Sequence, residues 1–440
     1  MATNKPSAKG KKCVDVITLG CSKNLVDSEF LIKQFEAGGF SVEHDSPNPK
    51  GDIVVINTCG FIGDAKEESI DTILQFADAR KKGRIKQLYV MGCLSERYFD
   101  QLGSEIPEVD RFYGKFNWKE LVNDLGLEYR ADLCNERSLT TPGHYAYLKI
   151  SEGCNRICSY CAIPIITGKH KSRSIESLVD EAQRLAQKGM KELQVIAQDL
   201  SYYGLDLYKE KSLARLTEAL SAIDGIEWIR LHYAYPAGFP MDVLDVMANN
   251  PKVCNYLDMA LQHISDPMLK SMRRNVSKGE TIELVNSIRE KVPGIHLRTT
   301  LITGHPGETE ADFNELMAFV QQSRFERLGV FAYSHEEDTY AWKAYNDDVP
   351  EEVKQERANA IMELQNGISR ELNEQKIGSH LKVIIDRQEG DYFVGRSEFD
   401  SPEVDPEVLI ASGSDLNIGS FYNVKITGAE DYDLIGEVEY

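Results

Sequence analysis

The first part of the chain alternates short apolar runs with segments whose apolar residues recur at helical spacing. The apolar runs at 14–20, 52–58 and 87–92 predict strands, and the segments after them predict helices. This alternation is typical of a doubly wound parallel sheet, in which each helix crosses one face of the sheet. We therefore expect an N-terminal α/β domain over residues 1–135.

The middle of the chain repeats the strand–helix unit about six times. Its apolar runs predict six parallel strands joined by amphipathic helices. We interpret residues 140–372 as a partial (β/α)6 barrel, whose chemistry should lie at the carboxyl ends of its strands. A polar stretch at 128–143 is interpreted as the linker before this barrel, and a long polar helix after residue 350 should close it.

The last part, residues 375–440, consists of short alternating segments between turns rich in Gly, Asp and Pro. This pattern predicts a small OB-like β-barrel. Residues 376–440 contain five Lys/Arg against fourteen Asp/Glu, a net charge of −9, within a chain of net charge −20. Such charge disfavours direct nucleic-acid binding and attracts a basic partner. One row of acidic residues should be either a solvated face or a contact for a basic protein (Glu398, Asp400, Glu403, Asp405, Glu407).

Nothing in the sequence predicts a membrane or secreted protein. No run of about eighteen apolar residues could span a bilayer. The first sixteen residues are basic and polar, unlike the apolar core of a secretory signal. We therefore expect a cytoplasmic protein with no membrane partner, whose nine cysteines are reduced thiols available to metals.

Three cysteines stand close together in the stretch GCNRICSYC. Cys154, Cys158 and Cys161, called here the loop trio, form a C-x3-C-x2-C pattern just after the first barrel strand. Structural zinc requires four ligands, and no fourth cysteine is near. A [4Fe–4S] cluster held by three thiolates leaves one iron open to a small molecule. We therefore favour a cluster over zinc or unliganded thiols.

Three other cysteines each follow a predicted strand of the N-terminal domain. Cys21, Cys59 and Cys93, called here the strand-end trio, should meet at one edge of the sheet, where the carboxyl ends of parallel strands lie. We favour a second cluster over the alternative of three small, half-buried side chains that merely pack. The remaining cysteines lack this pattern and are interpreted as structural (Cys13, Cys134, Cys254).

The cysteine pattern and its context resemble a known family. C-x3-C-x2-C at the start of a β/α barrel resembles the radical S-adenosylmethionine (SAM) superfamily. With the strand-end trio and a C-terminal module of the TRAM type, nearly the whole chain resembles the methylthiotransferases. The segments GCSKNLVDSE, NTCGFIGDAKEES, AQDLSYYG, LHYAYP and LQHISDPMLKSMRR are similar to the branch called RimO. His305 in LITGHPGET departs from the family pattern, in which we expect a bulky apolar residue.

The resemblance implies an enzyme with two [4Fe–4S] clusters. The loop trio would hold the cluster that binds and cleaves SAM, and the strand-end trio an auxiliary cluster that carries the sulfur. One SAM would methylate that sulfur, and a second would give a radical that removes hydrogen from the substrate. The substrate would be the β-carbon of an aspartate in the small-subunit ribosomal protein S-twelve, within the ribosome or its assembly. Electron and sulfur donors would be further partners.

A few other residues are candidates for cofactor contact. Tyr160, inside the loop trio, would pack beside SAM or against the barrel wall. Gln198 and Asp199 end a predicted strand, where polar groups reach the ribose or amine of SAM. Arg298 could bind a carboxylate or form an ordinary ion pair.

Other functions remain open at this point. A transfer-RNA adenosine methylthiotransferase would use the same chemistry on another acceptor. A cobalamin-dependent radical enzyme would share the fold, but the D-x-H-x-x-G signature is absent. A zinc-stabilised binding protein would contain zinc and no sulfide, whereas two clusters require about eight irons.

Overall fold

The structure, a computed structural model, describes residues 12–46, 51–411, 413 and 415–439. The polar start of the chain, from which we expect no secretory signal, lies almost wholly outside these residues. One compact unit ends at Thr140 and includes Ile165–Thr167, and the other comprises Thr141–Pro164 and the residues from Gly168 on. Among the helices described, none combines the length and apolar character needed to cross a membrane.

The first unit is built on a parallel sheet with helices on both faces. Its elements are β1 (Cys13–Thr18), α1 (Ser22–Ala37), β2 (Ser41–His44), β3 (Ile53–Thr58), α2 (Gly63–Lys81), β4 (Gln87–Gly92), α3 (Cys93–Arg97), α4 (Phe99–Glu105), β5 (Arg111–Phe112) and α5 (Trp118–Asp124). The strand order is β2-β1-β3-β4-β5. Central β3 is buried at every position, as its continuous apolar run indicates. The doubly wound prediction is confirmed.

The third predicted helix of this unit is interrupted. Instead of one helix after β4, the structure has α3 and α4, with a break at Tyr98, where φ is −124° and ψ is 32°. The edge strands β2 and β5 were not predicted, because they are short and β2 has no buried position.

The predicted linker is packed rather than extended. Arg137, at 2% exposed, forms an ion pair with the equally buried Glu29 of α1. The backbone N–H of Thr140 donates to the same carboxylate at 2.7 Å. Residues 128–140 therefore form part of the first unit, because a buried carboxylate requires such partners.

The second unit contains a six-stranded parallel sheet. Its elements are β6 (Tyr145–Lys149), β7 (Ser151–Glu152), α6 (Ile163–Thr167), β8 (Lys171–Ser172), α7 (Ile175–Gln187), β9 (Glu192–Ile196), α8 (Leu213–Ser221), β10 (Trp228–Ala234), α9 (Asp242–Asn249), β11 (Val253–Met259), α10 (Asp266–Ser271), α11 (Lys278–Lys291), β12 (His296–Thr303), α12 (Glu310–Ser323), β13 (Arg327–Ala332), α13 (Tyr340–Ala344) and α14 (Glu351–Glu374). Of these elements, only the Ile165–Thr167 part of α6 is grouped with the first unit. The strand order β13-β12-β11-β10-β9-β6 leaves β6 and β13 as the two edges, which confirms the partial barrel.

Five further strands close into a small barrel in the same unit. They are β14 (His380–Glu389), β15 (Tyr392–Ser397), β16 (Val408–Ala411), β17 (Phe421–Ala429) and β18 (Leu434–Val438), in the order β14-β15-β16-β18-β17. This barrel packs against the amino ends of the large sheet's strands. Phe421 lies edge-on to Trp228 of β10, with ring centroids 4.7 Å apart.

Two residues of the acidic row, Asp400 and Asp405, do not belong to a solvated face. Asp400 is 2% exposed and forms an ion pair with Arg327 of β13. The carboxylate of Asp405 lies 3.2 Å from Arg298 of β12. Both interpretations of these two residues, a solvated face or a partner contact, are therefore wrong, because internal arginines neutralise their charge.

The other members of the acidic row also have partners within the unit. Glu403 accepts hydrogen bonds from the Tyr145 and Tyr147 hydroxyls at 2.9 and 3.2 Å. Glu398 accepts from the backbone N–H of Asn255 at 3.1 Å. Four members of the row therefore join the two barrels, whereas Glu407 pairs with Arg387 of the small barrel itself.

Buried charges complete this junction. Arg396 of β15 donates to Glu192 of β9 at 2.8 Å, and both side chains are at most 1% exposed. Arg230 of β10 lies 2.9 Å from the same carboxylate, and Asp386 accepts a further bond from Arg396. The neighbouring arginines lower the pKa of Glu192 despite its burial, so it remains ionised.

Removal of Arg396 should destabilise the protein strongly. We expect Arg396→Met to lower the free energy of unfolding by about 3 kcal/mol, because it leaves buried carboxylates with fewer partners. The matched control is Arg387→Met in β14, whose exposed pairs with Glu389 and Glu407 should be worth at most about 1 kcal/mol. Urea unfolding of the full chain measures both, and equal midpoints for the two variants would contradict the expectation.

Candidate functional site

The loop trio lies on a segment that folds back on the chain after α6. Gly153 has φ +77°, and a Cβ there would overlap the carbonyl oxygen of Lys169. The backbone N–H of Cys154 donates to the Gly168 carbonyl at 3.1 Å. A glycine is therefore required immediately before the first cysteine, at the carboxyl end of the first barrel strand.

The loop trio lies in a tight turn, in which the backbone N–H of Cys161 donates to the carbonyl of Cys158 at 3.3 Å. Burial, together with negative charge at Asp199 and Cys158, raises the pKa of Cys154 to about 11. Burial also raises the pKa of Cys161, as do charges at Cys158 and Cys154. Without a bound cation Cys154 and Cys161 are therefore held as neutral thiols, and metal binding would displace their protons.

Arg274 supplies a buried positive charge beside this trio. It is 2% exposed, and its Nη1 donates to Cys158 Sγ at 3.5 Å and to the Tyr160 hydroxyl at 3.2 Å. Its guanidinium lies over the Tyr235 ring at 4.1 Å, and Arg156 lies 3.9 Å from the same ring's centroid. The Tyr235 hydroxyl is 3.7 Å from Cys158 Sγ.

His305 packs against the loop that carries the loop trio and binds its Ser159. Its Nε2 lies 3.1 Å from the hydroxyl of Ser159, and its Nδ1 lies 3.2 Å from the Pro306 carbonyl. Burial lowers the pKa of His305 to about 4, so the ring is neutral; Nδ1 donates to the carbonyl and Nε2 accepts from Ser159. The ring packs against Tyr160 and Tyr333. His305 thus fills the volume of an apolar residue and adds a hydrogen bond.

Several buried polar atoms at this rim have no hydrogen-bond partner. Among the described residues they include Ser151 Oγ after β6, Gln198 Oε1 after β9, Gln262 Oε1 after β11, and Arg274 Nε. Burial without a partner is costly, so such atoms indicate a missing polar ligand. A molecule with amine, hydroxyl and carboxylate groups, such as SAM, fits this set.

The residues that the sequence predicts to contact the cofactor have different hydrogen-bond and ion-pair partners in the structure. Gln198 Nε2 donates to Glu152, and the Asp199 carboxylate accepts from Arg156 at 2.7 Å. Tyr160 lies beside Arg274. Arg298 pairs with Asp405 and with Asp258, at 3.5 Å, so it forms structural ion pairs.

Sequence reasoning missed Gln262 and Arg274. Gln262 has φ +73°, an unusual conformation for a residue other than glycine, at the end of β11. The LQH and MRR stretches that contain these two residues carry no ligand motif. The unusual backbone and the guanidinium contact become visible only in the folded chain.

The strand-end trio meets at the carboxyl edge of the first unit's sheet. Cys21 caps the amino end of α1, Cys59 follows β3 directly, and Cys93 begins α3 after β4. A Cβ added to Gly20 would lie 2.9 Å from Cys59 Sγ, and one added to Gly60 would lie 2.8 Å from the Cys93 carbonyl carbon. The three loops are therefore in close contact.

Glycine is required at the last position of β4, immediately before Cys93. Gly92 has φ +105°, and a Cβ there would lie 2.5 Å from Asn57 Oδ1 and from the backbone nitrogen and oxygen of Thr58. The turn brings the start of α3 against the neighbouring strand, which places Cys93 beside the end of β3.

Polar side chains surround this second trio. Cys93 Sγ lies 3.6 Å from Asn24 Oδ1, which also accepts from Lys115 Nζ at 3.4 Å. Lys115, 2% exposed, forms a 3.0 Å ion pair with Asp27. Burial raises the pKa of Cys93 to about 12, Lys115 lowers it, and charges at Cys21 and Cys59 raise it. Burial also raises the pKa of Cys59, whereas despite desolvation Lys23 and the backbone N–H of Asn24 lower the pKa of the exposed Cys21, so Cys21 is the thiol of this trio that ionises most readily.

Within the described part of the chain, no three His, Cys, Asp or Glu side chains converge tightly enough for one metal ion. The cysteines of a [4Fe–4S] cluster bind different irons and so stand farther apart than ligands of one ion. Two cysteine trios, each beside a buried cation, thus fit clusters better than zinc, which requires four convergent ligands.

Family comparisons match most of the chain. Residues 148–320 match the radical SAM superfamily, residues 377–438 match the TRAM domain, and residues 13–114 match the uncharacterized protein family UPF0004.

Curated relatives are similar over nearly their whole length. A protein from Bacteroides thetaiotaomicron named ribosomal protein uS12 methylthiotransferase RimO is 62% identical, over 97% of this chain and 98% of its own. A protein of the same name from Porphyromonas gingivalis is 63% identical over the same shares. One from Cytophaga hutchinsonii is 55% identical over 98% and 99%.

Solved structures share the fold at low identity. The radical SAM methyltransferase TsrM from Kitasatospora setae, with cobalamin and a [4Fe–4S] cluster bound, has a TM-score of 0.54 at 16% identity, over 73% of this chain and 72% of that one. The cobalamin-dependent radical enzyme OxsB has a TM-score of 0.53 at 13% identity, over 82% and 58%. These neighbours support the radical SAM architecture.

Proposed function

The chain belongs to the RimO family of ribosomal protein uS12 methylthiotransferases, and we propose from this premise that it adds a methylthio group to the β-carbon of an aspartate in uS12 (S-twelve). It is a radical SAM enzyme that uses SAM and [4Fe–4S] clusters. The observation that carries the proposal is identity of 55–63% to RimO proteins over nearly the whole chain. The transfer-RNA acceptor is not favoured by these relatives.

The cysteine trios are the proposed cluster ligands. The loop trio would hold the SAM-binding cluster, and the strand-end trio the auxiliary cluster. When bound, the first supplies the electron that cleaves SAM and the second carries the sulfur that is transferred. Burial raises the pKa of two thiols in each trio, Cys154 and Cys161 in one and Cys59 and Cys93 in the other, so binding of iron there would be coupled to release of protons.

Residues around the loop trio would bind and orient SAM, and they hold the cysteine loop in place. Gln198 and Gln262 offer carbonyl oxygens without partners to the amine or hydroxyl groups of SAM. Tyr160 would pack beside it. His305 fixes Ser159, and with it the turn between Cys158 and Cys161. Polar groups held in place before the ligand arrives lose little entropy when it binds.

Residues around the strand-end trio keep a buried positive charge beside the thiols. Asn24 connects Cys93 to Lys115, and Asp27 fixes the ammonium. A buried cation offsets the negative charge that three thiolates bring, which favours cluster retention.

The location and the partners that we propose for the enzyme follow from its proposed substrate. We propose a cytoplasmic enzyme that acts on uS12 within the ribosome or its assembly and that receives electrons and sulfur from other proteins. A net charge of −20 supports a basic protein acceptor over a nucleic acid.

Mass spectrometry of uS12 from cells with and without this gene tests the proposal. We expect the uS12 aspartate to gain the mass of SCH3 replacing H only when the gene is present. A matched strain that carries Cys59→Ala should resemble the deletion. Unmodified uS12 together with gene-dependent methylthiolation of transfer RNA would contradict the proposal.

Arg274 should tune the SAM-binding cluster. Replacing it with methionine removes an N–H···S hydrogen bond and a buried positive charge, both of which favour the more negative reduced cluster. We expect the reduction equilibrium constant to fall about tenfold, a midpoint shift of about −59 mV for one electron.

A redox titration followed by electron paramagnetic resonance measures this shift without relying on turnover. The control is Arg273→Met, whose guanidinium lies over Tyr340 at 4.3 Å instead of contacting a thiol. Equal potentials in wild type and Arg274→Met would refute the role of Arg274.

A further inference from the structure

Two large aromatic side chains are exposed directly beside the cysteine loop. Tyr340 and Trp342 of α13 are 47% and 45% exposed. Between them, the backbone N–H of Ala341 donates to the carbonyl of Ser159, inside the loop trio, at 2.7 Å. Tyr and Trp are enriched in the energetic centres of protein interfaces. The position of this pair therefore indicates a contact for something that must reach the reaction site.

The chain around α13 is strongly acidic. Residues 336–354 contain seven Asp or Glu against two Lys, a net charge of −5. Glu337 and Asp338 are both exposed just before α13. Lys343 lies 3.2 Å from Asp338 and offsets one of these charges. The local field therefore attracts cations and repels phosphate.

One aromatic ring of this surface already holds a cation. The guanidinium of Arg273 lies 4.3 Å from the centroid of Tyr340. Contacts of this kind are stabilising for Arg and Lys over Tyr or Trp. The surface thus shows, within the chain itself, the chemistry with which it would receive a basic side chain.

We propose that Glu337, Asp338, Tyr340 and Trp342, called here the α13 face, bind a basic segment of the protein substrate and position it at the catalytic rim. A ribosomal protein has to neutralise RNA phosphates, so its RNA-contacting segments carry Lys and Arg. Acidic and aromatic groups are complementary to such a segment. This inference rests on the proposed function and adds the surface that receives the substrate.

Steady-state kinetics of the reconstituted full chain with purified uS12 test the α13 face. We expect Trp342→Ala and Glu337→Lys each to raise the KM for uS12 about tenfold. The KM of the wild type should also rise with salt, and that of Glu337→Lys should rise less. Iron content per chain verifies that each variant carries its clusters.

The control is Tyr392→Ala in the C-terminal barrel, which removes a side chain of matching exposure, 46%, away from α13. Its KM should equal that of the wild type. An unchanged KM in Trp342→Ala and Glu337→Lys, or an equal rise in Tyr392→Ala, would overturn the α13 face alone. A wild-type enzyme that leaves uS12 unmodified would instead refute the proposed function, and the α13 face with it.

Discussion

Replacement of Cys158 with alanine is expected to abolish SAM cleavage and to reduce the iron content from about eight to about four per chain, since each [4Fe–4S] cluster contains four irons. Cys158 is the thiol of the loop trio that both Arg274 and Tyr235 contact, at 3.5 and 3.7 Å. Two remaining thiolates would leave two irons of the cubane without protein ligands. Anaerobic reconstitution with iron and sulfide analysis, followed by quantification of 5′-deoxyadenosine, measures both effects.

Cys134→Ala is the matched control for this variant. Cys134 is exposed, follows the short 3-10 helix Ala131–Leu133, and belongs to neither trio. It should retain about eight irons and full SAM cleavage. A Cys158→Ala protein that still cleaves SAM would show that another residue binds the cluster, and loss of iron in Cys134→Ala would point to general instability.

Much of the fold could be predicted from the periodicity of apolar residues, because the burial of each helix or strand determines the pattern within its own sequence. A strand buried on both faces must be apolar throughout, as β3 is, so its sequence identifies it. Strand-end cysteines could likewise be placed together, because parallel strands share a carboxyl edge. Edge strands such as β2 cannot be identified in this way, because no side chain of β2 is fully buried.

Interactions between distant residues could not be predicted in the same way. The acidic row looks solvated in the sequence, but its neutralising arginines lie far away along the chain, with Arg327 separated by 73 residues from Asp400 and Arg298 by 107 from Asp405. Arg274 likewise stands 116 residues from Cys158. Charge counts predict the overall field of a segment, whereas the partner of each carboxylate depends on the fold.

His305 shows what a departure from a family pattern can and cannot indicate. The sequence identifies the position as unusual, because a titratable ring stands where an apolar side chain is expected. Only the structure shows that burial keeps the ring neutral and that Ser159 is its partner. The substitution therefore preserves the packing behind the loop trio.

Replacement of Cys93 should separate the two halves of the reaction. We expect Cys93→Ala to retain SAM cleavage and about four irons but to lose methylthiolation of uS12 below detection. The loop trio belongs to the other compact unit and keeps all three thiols, whereas the strand-end trio is reduced to Cys21 and Cys59. Parallel assays of 5′-deoxyadenosine and of modified uS12 measure the separation.

The matched control, Cys13→Ala, removes a thiol of the same unit that lies on β1, where the polypeptide enters the sheet, and it should leave both assays unchanged. Loss of SAM cleavage together with methylthiolation in Cys93→Ala would mean that the two trios do not act as separate sites. Methylthiolation that persists in Cys93→Ala would exclude the strand-end trio as the sulfur carrier. Cys93 is the most informative of the three positions. Its thiol contacts Asn24, which also binds Lys115, so replacing Cys93 also separates the buried cation from the trio.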